Sequence, residues 1–184
     1  LKALIVIAHP DRKSFGHAKL VPTIKFQYKK LGYDVEVLDL YLDGYNPSSF
    51  TGDISNINNN AFARSYRHAI KTADHVFIVS PTRWLSLDPL IEGFIDQVFT
   101  KGFAYDDTRG LLGDRKLRMI VISTLPKSST WKTLNILWIR LRVMIFPMIF
   151  KYNNIQVYQI WNVKKAGNLQ LNKHLHNIKK IIIK

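Results

Sequence analysis

His75-Val76-Phe77-Ile78-Val79-Ser80-Pro81-Thr82-Arg83-Trp84-Leu85-Ser86 is the stretch whose reading decides the fold. Its first six residues form a mostly apolar run, the pattern of a strand covered on both faces. A Pro-x-x-Trp turn follows at once, and a helix is expected over 89–101. In an open α/β sheet the carboxyl ends of the strands present backbone groups to a ligand. Trp84 adds a flat, amphipathic surface at that place.

Four further apolar segments lie on either side of this one, at 3–8, 34–40, 117–123 and 155–161, and helical patterns separate them. That alternation is the sequence form of a doubly wound parallel sheet. The segments at 3–8 and 117–123 are almost continuously apolar. Asp34-Val35-Glu36-Val37 and Ile155-Gln156-Val157-Tyr158 instead alternate, as strands with one less-covered face do. Placing these two at the edges gives an α/β fold with a five-stranded parallel sheet of order 2-1-3-4-5, helices on both faces, and one domain over 1–184. Helices are expected over 16–31, 60–72, 89–101, 131–146 and 169–182. Leu31-Gly32-Tyr33 supplies a helix stop, and Asp88-Pro89 an N-cap followed by proline at the first helical position. The segment 41–60 reads as a long polar loop.

The composition is that of a globular chain: 184 residues, 47% hydrophobic and 22% charged. There is no cysteine, which excludes disulfides, thiolate metal sites and Cys nucleophiles and fits a reducing cytosol. No secretory signal precedes the first strand, so a cytoplasmic location is expected. With no initiator Met at position 1, the native start is expected to lie before the first numbered residue.

The net charge of +14 is uneven: residues 115–184 hold fourteen Lys or Arg and no acidic residue, whereas 1–114 are neutral. Such a field favours anionic ligands or surfaces. No helix-turn-helix, zinc or RNA-binding signature accompanies it, so nucleic acid is not expected. The apolar stretch 134–150 is shorter than the roughly 20 residues of a span and contains Arg140 and Arg142. It reads as a buried or subunit-facing helix, with Leu134, Leu137, Trp138, Leu141 and Ile145 on one side.

The first strand runs into His9-Pro10-Asp11-Arg12-Lys13-Ser14-Phe15-Gly16-His17 and a helix. A helix start at this point offers unpaired N–H groups to an anion. Without a Gly-rich fingerprint, a Rossmann dinucleotide fold is disfavoured. Taken alone, the same residues also read as a polar turn with an N-cap serine.

Together, His9–Gly16, the Pro81–Leu85 turn, and the Gly93-Phe94-Ile95-Asp96-Gln97-Val98-Phe99 and Gly102-Phe103-Ala104-Tyr105 blocks resemble the flavodoxin-like NAD(P)H:quinone oxidoreductases, the DT-diaphorase and modulator-of-drug-activity group. The resemblance runs from about residue 3 to about 123. It implies a flavin-dependent NAD(P)H dehydrogenase, in which NAD(P)H delivers hydride to flavin N5 and a quinone or similar electrophile takes two electrons. FMN and FAD, and NADH and NADPH, remain open. The resemblance assigns the flavin phosphate to His9, Ser14, Phe15 and Gly16, with Gly16 standing where many relatives carry Asn. It assigns the ring to Pro81, Thr82, Arg83, Trp84 and Leu85. Tyr105 becomes a substrate contact offered across a homodimer interface.

After the fourth strand, Ser123, Thr124 and Leu125 occupy the third cofactor turn, where many relatives have glycines. Leu125 and Pro126 bring side chains where close backbone approach is usual. The Tyr and His that protonate quinone in some relatives have no counterpart. The alternative implied by the resemblance is an ancillary flavoprotein subunit of a membrane potassium-efflux system, docked through the basic C-terminal part.

Overall fold

The computed structural model describes residues 1–47, 61–83, 86–122, 136–163 and 165–183. Five parallel strands form the sheet: β1 (Lys2–Ile7), β2 (Asp34–Asp39), β3 (His75–Arg83), β5 (Lys116–Ile122) and β6 (Ile155–Ile160), in the order β2-β1-β3-β5-β6. This is the expected 2-1-3-4-5 order, with one strand added. β4 (Ser86–Leu87) pairs antiparallel with the end of β3, Thr82 opposite Leu87 and Arg83 opposite Ser86. The residues expected to turn straight after Ser80 therefore continue β3 to Arg83.

Alternate residues of each strand feed two cores. On one face, α2 (Ala61–Thr72), α3 (Pro89–Val98) and the 136–150 segment cover Leu4, Val6, Val76, Ile78, Leu117 and Met119. On the other, α1 (Val21–Lys30) and α5 (Asn168–Ile183) cover Ala3, Ile5, Ile7, Phe77, Val79 and Ile120. β1 and β5 are buried almost end to end, whereas β2 and β6 are mostly half-buried. The alternating sequences thus do lie at the edges.

Local chemistry sets the helix ends. α1 closes with Gly32 at φ +81°, Tyr33 N–H donating to the Tyr28 carbonyl and Gly32 N–H to that of Lys29, both at 3.0 Å. This is the Schellman arrangement, which satisfies carbonyls left open by the last turn. The ring centroids of Tyr28 and Tyr33 lie 5.0 Å apart and supply its apolar contact. α3 starts as expected: the Asp88 carboxylate accepts from Leu90 N–H at 3.0 Å, and Pro89 follows.

Of the helix expected over 131–146, residues 131–135 lie outside the described residues, and 136–146 form a mixed helix rather than a continuous one. α4 (Ile136–Ile139) widens into π-helix over Arg140–Ile145 and tightens to a 3₁₀ turn at Phe146–Met148. Pro147 has no N–H to give the carbonyl four residues earlier, so the ladder changes step before it. Residues 16–20 form the same kind of wide turn ahead of Pro22, with Val21 N–H donating to the Gly16 carbonyl.

Arg140 donates to both Glu92 carboxylate oxygens, at 2.8 and 2.9 Å. Arg142 lies over the Tyr152 ring, 4.3 Å from its centroid, and donates to the Tyr152 and Ile155 carbonyls. Both arginines are held by protein groups. Among the described residues, no helix is long and apolar enough to cross a membrane.

Candidate functional site

β1 is the strand at which the chain path reverses, stepping out to β2 on one side and to β3 on the other. A crevice opens there, at the carboxyl ends of the strands. β1 ends at Ile7, opposite Val79, while β3 runs on, with Pro81 beside Ile122 of β5. The turn 9–16 crosses the gap. His9, Asp11, Ser14, Phe15, Gly16, Pro81, Ile122 and Val163 line a cavity of about 210 Å³. Five residues assigned from sequence to two separate turns thus border one space.

The polar side of this cavity is built from the turn's own hydrogen bonds. Asp11 N–H donates to His9 Nδ1 at 3.0 Å. That nitrogen therefore carries no proton, and the neutral ring has its hydrogen on Nε2. Burial, the largest cause, pulls the His9 pKa below its ordinary value, and His17 pulls the same way, while Asp11 opposes them. At neutral pH the ring is an uncharged donor. Ser14 caps the helix, its Oγ accepting from His17 N–H at 3.4 Å. The first N–H groups of that helix have no carbonyl partner within it.

His17, not assigned a role from sequence, braces the turn from behind. Its Nε2–H donates to the His9 carbonyl at 3.2 Å and lies 3.8 Å from the Asp39 carboxylate, which Arg12 also approaches at 3.7 Å. Gly16 is buried where three apolar chains converge. A Cβ there would fall 3.3 Å from Ile122 Cδ1 and 3.4 Å from Ile7 Cδ1. An Asn at this position would need those chains to move.

Phe15, Pro81, Ile122 and Val163 form the apolar side. Val163 was not marked from sequence. It follows Asn162, at φ +58°, a left-handed conformation that Asn tolerates better than most residues. Asp11 also borders the cavity, and its carboxylate is engaged locally with Lys13 N–H at 2.8 Å. Polar turn residues beside a largely hydrocarbon lining suit a small anionic group attached to an apolar or planar body.

The remaining assignments divide into three groups. Thr82 is half-buried at the β3–β4 hairpin, its hydroxyl 3.5 Å from the Ile122 carbonyl. Arg83 pairs through its backbone with Ser86. Trp84, Leu85, Ser123, Thr124 and Leu125 lie outside the described residues. Tyr105 does not join the crevice within this chain. It lies beyond the end of α3, where its carbonyl accepts from Gly102 N–H at 2.8 Å, towards the amino ends of the strands.

The sequence matches the family described as having a flavodoxin-like fold over residues 1–182. The chain belongs to the flavodoxin-like fold family. Among curated relatives, it is 29% identical over 126 residues to an uncharacterized NAD(P)H oxidoreductase of Haemophilus influenzae, covering 64% of this chain and 62% of that one. It is 27% identical over 124 residues to NAD(P)H dehydrogenase [quinone] 1 of Cavia porcellus, covering 56% and 45%. The chain spans about half the length of the curated relatives it matches. An FMN-dependent NADH-azoreductase from Bacillus anthracis, solved in complex with FMN, superposes with a TM-score of 0.76 over 99% of this chain and 98% of that one, at 18% identity. That likeness is one of fold. It puts the flavodoxin-like crevice in a known architectural setting and leaves the chemistry to the residues that line it.

Proposed function

We propose that this chain is a flavin-dependent NAD(P)H dehydrogenase that passes two electrons to quinones or similar electrophiles, and that it acts as one flavodoxin-like domain over 1–184. The observation that carries the reading is the single cavity shared by His9, Ser14, Phe15, Gly16 and Pro81. Relatives with NAD(P)H oxidoreductase and quinone dehydrogenase names support it and favour an enzyme over the ancillary subunit.

The crevice residues fit a flavin nucleotide, with FMN preferred and FAD an alternative. His9 Nε2–H, the Ser14 hydroxyl and the helix start would hold the phosphate. Phe15, Ile122 and Val163 would cover the sugar chain. Pro81, Thr82, Arg83, Trp84 and Leu85 would flank the ring, with Ser123, Thr124 and Leu125 closing it from the next strand. When bound, the flavin supplies two-electron redox chemistry, accepting from NAD(P)H and passing the pair to the acceptor. The protein's share is to grip the anionic end, keep water from the apolar wall and hold His9 in its donating tautomer through Asp11 N–H.

A homodimer, in a cytoplasmic setting, would let Tyr105 serve the crevice of a second copy. The apolar side chains left exposed on the 136–148 segment, Ile136, Ile139, Val143, Met144 and Met148, give such a copy a surface to cover.

The test is the visible spectrum of the purified protein, followed by NAD(P)H oxidation with a benzoquinone acceptor. A flavin absorbance and acceptor-dependent turnover are expected. Protein that stays colourless with added FMN or FAD contradicts the reading.

A further inference from the structure

The sequence places the excess positive charge after residue 114, but the fold distributes it differently. α1 belongs to the neutral half, yet it and its lead-in turn carry Lys19, Lys25, Lys29 and Lys30 and no acidic residue. α5 carries Lys173, Lys179 and Lys180, again with no acidic residue. Both helices cover the same face of the sheet, so they form one acid-free layer. All seven lysines are exposed, and none forms an ion pair among the described residues. Three acidic residues of the first half pair with cations outside these helices: Glu36 with Lys2, Glu92 with Arg140, Asp114 with Lys151.

Large apolar side chains stand among these cations. At about 100° per residue, Phe26 falls near the centre of the outward side of α1, with Lys25 and Lys29 to one side and Lys30 to the other. It is 65% exposed. On α5, Leu169, Lys173, His176 and Lys180 share a strip roughly 60° wide on the same count, and Leu169 is 88% exposed. Cations spread over the outer side of two neighbouring helices match a plane of anionic headgroups, and isolated exposed Phe and Leu side chains suit the acyl boundary just beneath it.

We propose that the outer face of α1 and α5 docks on an anionic lipid bilayer. Lysines supply the attraction, while Phe26 and Leu169 dip into the interface. The crevice opens between the start of α1 and Val163, just before α5, at the rim of this layer. Under the function proposed above, docking leaves it open to an acceptor dissolved in the bilayer. The docking itself does not depend on that function.

The experiment is flotation of the full chain with vesicles of phosphatidylcholine alone and of phosphatidylcholine mixed with phosphatidylglycerol. Binding to the anionic vesicles only, and its loss at high salt, are expected. Lys29→Gln and Lys180→Gln should each weaken it by about fivefold. Phe26→Ser should weaken it without changing the dependence on salt. All three sites are exposed, so the thermal transition of each variant should match that of the parent. Absence from anionic vesicles, or equal binding to neutral ones, would overturn the proposal. So would tighter retention on duplex DNA with Phe26→Ser indifferent, which would give the face to nucleic acid. The readout needs neither flavin nor turnover, so its failure leaves the crevice reading intact.

Discussion

His9 and His75 sit at opposite ends of the same sheet, and burial depresses the pKa of both. His75 begins β3 at the closed end. Its Nδ1 and the Tyr28 hydroxyl share a hydrogen bond at 2.5 Å, Tyr28 and Tyr33 pack their rings against it, and it is 8% exposed. Arg118, itself 4% exposed, adds a positive charge beside it and has no partner for its Nε. His9 borders a cavity, with its Nδ1 taken by Asp11 N–H. The contrast shows that a depressed histidine pKa does not by itself mark a site. What distinguishes the two rings is that one borders a cavity while the other is packed between two tyrosine rings.

This difference can be broken at either end, and the largest effects belong to the closed one. Tyr28 is fully buried, so Tyr28→Ala should cost about 3–5 kcal/mol, measured by urea unfolding. Tyr28→Phe removes only the hydroxyl that is hydrogen-bonded to His75 and should cost about 1–3 kcal/mol. A flavin affinity unchanged in Tyr28→Phe would keep the two ends independent.

The pH dependence of stability comes next. The pKa of His75 is lowered from 6.5 to about 4, chiefly by burial and then by Arg118. The folded state therefore binds fewer protons than the unfolded one. His75's contribution is fully present above pH 6.5 and is lost as pH falls towards 4, by about 3 kcal/mol in all. His75→Gln should flatten that part of the profile. His9 contributes with the same sign when the crevice is empty. A bound phosphate would favour its protonated form, so FMN should reduce the acid loss in the parent and not in a His9 variant.

Smaller effects belong to the crevice wall. Gly16→Ala forces Ile122 and Ile7 to yield by a few tenths of an ångström, and should cost about 1 kcal/mol in stability while narrowing the cavity. Ser14→Ala removes a long capping bond and should cost about 0.5 kcal/mol. Each is read from thermal unfolding beside an FMN titration. An FMN affinity unmoved by either change would place the ligand elsewhere.

The order of the sheet was legible because burial writes itself into strand composition: continuous apolar runs for β1 and β5, alternation for β2 and β6. Helix ends with local chemistry, Asp88-Pro89 and Leu31-Gly32-Tyr33, were legible for the same reason. β4 was not, since two residues make a strand only when the extension of β3 lies opposite them. The break in the 136–148 helix was signalled by Pro147, yet its widening upstream depends on the packing around it. In the crevice, His9–Gly16 and Pro81 carried recognisable chemistry. Val163 and the bracing His17–Asp39 contact did not, because each acquires its place only when distant segments meet.

The most direct measurement is an FMN titration, followed by flavin fluorescence, on the parent, His9→Gln and His75→Gln at neutral pH. His9→Gln should bind FMN about 10- to 100-fold more weakly, with folding intact, while His75→Gln should bind like the parent. Equal affinities in the parent and His9→Gln, or no binding by the parent, would contradict the crevice reading.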